Sequence, residues 1–118
     1  GALMAEITKT RVDLIEQAAT QLGAKTSNDP LSQEDSDTID NLVDPLIQQL
    51  SIDSVVEIGD TDAIDSQYFI ALANLLANVA APSFGQQTSP DVKFANETQL
   101  RKLSSVKPTF EHQRALYY

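Results

Sequence analysis

Apolar residues recur at steps of three and four in several separate stretches, the spacing that lines up one face of an α-helix. The first stretch predicts a helix from about Thr10 to Leu22, with Val12, Ile15, Ala18, Ala19 and Leu22 as its inner stripe and Arg11, Glu16 and Gln17 turned to water. Thr10 and Asp13 have the spacing of a capping box, and Gly23 stands where a helix stops. Ala24 to Leu31, rich in Thr, Ser, Asn, Asp and Pro, reads as a loop. A second helix then starts at Ser32 with Asp35, or at Ser36 one turn later. Its stripe is Ile39, Leu42, Val43, Leu46, Ile47 and Leu50. Pro45 falls inside it, removing one backbone hydrogen bond and crowding the Asn41 carbonyl, so a kink is expected there.

The pattern changes between Ile52 and Ile58, where Val55, Val56 and Ile58 form a short β-branched run that predicts an extended edge segment. A third helix follows from about Ser66 to Ala81, capped by Asp65 or Ser66 and ended by Pro82 and Gly85. Phe69, Ile70, Leu72, Ala73, Leu75, Leu76, Val79 and Ala80 leave it almost no polar side. Such a helix is central to a bundle, or half core and half subunit interface. The interface residues expected on it are Tyr68, Phe69, Leu72 and Leu76. Ser89 and Pro90 open a fourth helix that ends near Ser105, with Leu100, Leu103 and Val106 inward and Lys93, Arg101 and Lys102 outward. Pro108 to Tyr118 has a helix breaker, several large side chains and no period, and reads as an arm.

The elements together predict an all-α fold: a compact four-helix bundle with a possible short extended segment at 52–58 and an extended C-terminal arm. The 118 residues suffice for one domain, expected at 4–107, with the arm at 108–118. Residues 1–3 read as a cloning remnant ahead of a natural start at Met4. The longest apolar run, Tyr68 to Ala81, is too short to span a membrane and is interrupted by Asn74 and Asn78, so no membrane partner is expected.

Charge adds an asymmetry that the hydrophobic pattern does not carry. The net charge is -9, and residues 26–92 hold twelve Asp or Glu and no Lys or Arg. Residues 93–118 carry five basic side chains against two acidic ones. An acidic body and a basic tail could bring like subunits together head to tail, although an ordinary solvated acidic surface gives the same count.

Candidate chemistry is sparse. The chain has no cysteine and one histidine, His112, which leaves little for a metal site, and no cofactor is expected. Asp60, Asp62 and Asp65 resemble the start of a calcium loop, but Ile64, Asp65 and Ala71 stand where that loop needs an oxygen ligand, a glycine and a glutamate. They are expected to serve a turn and a helix cap. Carboxylates are abundant, yet acid catalysis needs one buried enough to raise its pKa, and these lie on polar faces. Three readings remain: an assembly module, an acidic DNA mimic that occupies a nucleic-acid enzyme, and a peptidoglycan hydrolase. The first is preferred, and no enzymatic activity is expected.

Several landmarks in order resemble the head-to-tail adaptor family of P22-like short-tailed phages, also called tail accessory or packaged-DNA stabilisation proteins. They are Thr8-Lys9-Thr10 leading to Leu14-Ile15, Ala18 and Leu22-Gly23, then Ser36 to Leu50 around Asn41-Leu42. Tyr68 to Ala77, continuing through Ala81-Pro82-Ser83-Phe84-Gly85, resembles the central helix and its exit. Arg101, then Lys107-Pro108-Thr109-Phe110-Glu111-His112-Gln113-Arg114-Ala115 and Tyr117-Tyr118, resembles the aromatic terminus. Pro45 and the early chain end depart from the family pattern. The resemblance implies a connector subunit in a twelvefold ring beneath the portal, closing the DNA-filled head at the virion neck after assembly in the bacterial cytoplasm. Its expected partners are the portal protein, tail or nozzle proteins and copies of itself, with packaged DNA met only by proximity. Phe110, His112, Arg114, Tyr117 and Tyr118 are the expected contacts to the portal or a neighbouring subunit, since aromatic and arginine side chains dominate interface energetics.

Overall fold

The computed structural model describes residues 8–26 and 28–105. The order is β1 (Thr8–Lys9), α1 (Arg11–Leu22), α2 (Gln33–Ile52), β2 (Ile64–Asp65), α3 (Ser66–Ala80), a 3₁₀ turn at Ala81–Phe84 and α4 (Pro90–Ser105). The fold is all-α, with one two-residue antiparallel ribbon in which Thr8 faces Asp65 and Lys9 faces Ile64.

Each helix begins on a cap legible in the chain. Thr10 and Asp13 form the full capping box of α1, the Thr10 hydroxyl accepting from the Asp13 N–H at 3.2 Å while the Asp13 carboxylate accepts from the Thr10 N–H at 3.1 Å. Ser32 caps α2, Asp65 caps α3 by accepting from the Gln67 N–H, and Ser89 Oγ accepts from the Val92 N–H at the start of α4. Gly23 ends α1 at φ +79°, where a side chain would be strained, and the Ala24 N–H returns to the Ala19 carbonyl at 2.9 Å. Gly85 does the same after the 3₁₀ turn at φ +76°.

Helix α3 is the centre. Helices α1, α2 and α4 all pack on it, and Tyr68, Phe69, Ala71, Leu72, Ala73, Leu75, Leu76, Ala77 and Ala80 are buried. Leu14, Ile15, Ala18, Ala19 and Leu22 of α1 cover one side, and Ile39, Val43 and Leu50 of α2 another. Helix α4 contributes a single fully buried side chain, Leu100, supported by the half-buried Leu103. Val106 lies outside the described residues.

Three expectations are corrected. Val12 is 60% exposed and Leu14 takes the inner place, so the inner face of α1 runs 14, 15, 18, 19, 22. Arg11 reaches across to α2 instead of pointing to water. The extended segment at 52–58 does not form. Helix α2 continues to Ile52, and Ser54 turns left-handed at φ 58°. The Val55 N–H is then drawn back to the Leu50 carbonyl at 2.8 Å. Val55 and Val56 therefore plug the core as loop residues, and the ribbon forms from residues 64–65 instead. Helix α2 runs unbroken through Pro45.

Candidate interaction surface

Helices α2 and α4 lie on α3 without closing over it, which leaves an apolar cleft of about 210 Å³ between them. Leu42, Pro45 and Leu46 form one wall, Leu75 and Val79 the floor, and Lys93 stands on the opposite side. Val79 is 39% exposed, and with Ile70 it is one of the two exposed large apolar residues of α3. Lys93 Nζ lies 2.9 Å from Glu97 Oε2, an i,i+4 pair along α4 that leaves the α4 side of the cleft without net charge. At one end, just beyond the lining residues Leu50 and Glu97, Arg101 Nη2 donates to the Asp53 carbonyl at 3.4 Å, tying the last turns of α4 to the end of α2.

Pro45 gives the α2 wall a second property. Proline has no N–H, so the Asn41 carbonyl cannot receive its usual helical bond and remains an acceptor on that helix. Both residues are exposed.

Along α3, α4 is held by amides, one of which, Asn78, also lines the cleft. Asn74 Nδ2 donates to Asn96 Oδ1 at 2.9 Å, and Asn78 bonds the backbone of Ser89 through both ends of its amide. These two asparagines interrupt the apolar run because α4 needs them, and their partners are internal.

Among the described residues, the acidic surface is organised most densely around Arg11. Arg11 Nε donates to Asp40 Oδ1 at 2.6 Å, Nη1 to Asp44 Oδ1 at 2.9 Å and to Thr61 Oγ1 at 3.3 Å, and Nη2 to the Asp40 carbonyl at 3.1 Å. The Arg11 N–H donates to Asp62 Oδ1. One guanidinium thus joins the start of α1 to α2 and to the loop before β2. Its hydrogen bonds hold the Asp44 carboxyl below the usual carboxylate range and raise the guanidinium's own pKa. Tyr68 is shifted upward, first by burial and then by the charge of Asp65. Asp60 accepts from the Asp62 N–H and Asp65 caps α3, the turn and cap roles their spacing suggested.

The residues singled out in the sequence fall into two groups. Tyr68, Phe69, Leu72 and Leu76 are at most 8% exposed within one chain, with Lys9 Nζ 5.5 Å from the Phe69 ring centre, so they belong to the core of the single chain. Phe110, His112, Arg114, Tyr117 and Tyr118 lie outside the described residues. The cleft was not anticipated, although a proline inside an apolar helix stripe and Val79 at the thin edge of α3 were its signals. On α4, Phe94 is 72% exposed. No described helix is long and apolar enough to cross a membrane. Comparison with family models, with curated proteins and with solved structures gives no match to this chain.

Proposed function

We propose that the chain is a structural subunit of a phage head-to-tail connector, assembling as a ring under the portal and offering a platform to tail or nozzle proteins. One observation carries most of this reading. A helical body with twelve acidic and no basic residues between positions 26 and 92 is followed by a basic, aromatic C-terminal sequence. An acidic wall repels packaged DNA and does not retain it, and it also keeps free copies apart until a template brings them together. The basic tail supplies the attraction that the body lacks. On this reading the protein acts at the virion neck, after assembly in the host cytoplasm, and catalyses nothing.

The decisive experiment removes residues 108–118 and measures binding to a purified portal ring of a P22-like phage. The shortened chain should stay folded and lose binding; unchanged binding overturns the role given to the tail. Sedimentation of the free protein should give a monomer at physiological salt, whereas a stable ring would contradict the template requirement. The DNA-mimic alternative is weakened by Arg11, which pairs with Asp40 and Asp44 and halves the negative charge there, in the middle of the acidic face of α2. Asp44 gives the hydrolase alternative no general acid, since Arg11 shifts its carboxyl downward.

A further inference from the structure

The cleft between α2 and α4 has the size of one aromatic ring: an apolar cavity of ~150 Å³ accepts benzene, and this one measures about 210 Å³. We infer that it receives the C-terminal segment, residues 107–118, of a second copy, a contact that rests on the connector reading and gives it a subunit interface. Three observations select that occupant. The segment contains Phe110, Tyr117 and Tyr118, three aromatic side chains for an aromatic-sized cleft. It carries Lys107 and Arg114 against Glu111, so it meets a body of opposite charge. It also has the reach, since thirteen residues follow Ser105 and an extended chain covers ~3.3 Å per residue, or ~43 Å in all.

The Arg101 end of the cleft decides between the chain's own segment and a neighbour's. Arg101 bridges to Asp53 on the side toward Ser105, so a segment leaving its own α4 would have to double back across that bridge. A segment from another copy enters at the opposite end, between Leu42 and Lys93. The Asn41 carbonyl, one turn before the cleft-lining Pro45, then offers an acceptor for a backbone N–H or for the arginine of the incoming chain. This also accounts for Pro45. An interior helical proline destabilises its helix, and here it leaves an acceptor next to the Pro45 wall of an apolar slot. Because the slot and the segment lie on different parts of the molecule, the contact is head to tail and repeats from copy to copy, as a closed ring requires.

The absence of cysteine makes the test direct. Gln49→Cys marks the cleft at an exposed position, and Gln113→Cys marks the tail. In an equimolar mixture of the two full-length variants at high protein concentration, mild oxidation traps the transient encounters that a portal would make lasting, and the mixed disulfide should exceed either self-disulfide at least tenfold. Phe110→Ala on the tail-bearing chain should remove that excess without touching the folded body. No excess in the mixture overturns the inference. So does rapid closure within one chain when both cysteines are placed together and the protein is dilute, which would make the occupant the chain's own tail. No portal is present, so failure here leaves the connector reading to its own binding test.

Discussion

Asn78 brackets Ser89: its side-chain oxygen accepts the Ser89 N–H at 2.8 Å while its side-chain nitrogen donates to the Ser89 carbonyl at 3.2 Å. One amide thereby fixes the residue that caps α4, whose other anchors are the Asn74–Asn96 bond and the apolar side chains Leu100 and Leu103. Asn78→Ala should cost about 1–3 kcal/mol, because two partly buried backbone groups lose their partner. Thermal unfolding should fall by several degrees, and amide exchange should quicken in α4 more than in α1. Equal acceleration in both helices would show that Asn78 does not act through Ser89.

The Arg11 cluster predicts an acid-dependent loss. The Asp44 carboxyl is held below its ordinary value, so the folded chain takes up its proton at lower pH than the unfolded chain does. The stability this contributes is complete above the unfolded-state pKa and disappears as pH falls through the folded-state value. Asp44→Asn should flatten that part of the stability curve in denaturant titrations at a series of pH values. Retention of the full acid limb would mean that Asp44 does not supply it.

Tyr68 has the opposite sign. Its hydroxyl is shifted upward by burial, so its contribution is intact below the ordinary tyrosine range and is lost as pH rises through the folded-state value. Tyr68→Phe should blunt alkaline unfolding, followed by tyrosinate absorbance and helical circular dichroism together.

Helix α3 offers a contrast between neighbours in sequence. Leu72 is fully buried, and Leu72→Ala should cost about 2–5 kcal/mol. Ile70 is 57% exposed, and Ile70→Ser should change stability by no more than about 0.5 kcal/mol. Similar losses at both positions would put the face of α3 elsewhere.

Much of this architecture is legible from residue order, because caps and stops are local chemistry. Thr10, Ser32, Asp65, Ser89, Gly23 and Gly85 each act on backbone within a few positions of themselves, and each sits where its spacing placed it. What the sequence hides is decided at a distance. A stripe at steps of three and four does not say which flank turns inward, so Val12 and Leu14 exchange roles. A β-branched run does not reveal that a left-handed Ser54 will fold it back on its own helix. The burial of Tyr68, Phe69, Leu72 and Leu76 depends on three other helices converging on α3, and the cleft depends on α4 failing to meet α2. Neither is a property of one segment.

The two-residue ribbon joins positions more than fifty residues apart, and the Arg11 bonds to Thr61 and Asp62 span the same interval. Closing so long a loop spends chain entropy before any of these bonds forms. Helix α4, by contrast, docks on its neighbour α3 across a short connection. The difference in loop length predicts that the α3–α4 hairpin gathers first and the start of the chain is latched down last. The latch is then also the first part to open, so native-state hydrogen exchange should find the Lys9 and Ile64 amides released before those of α3.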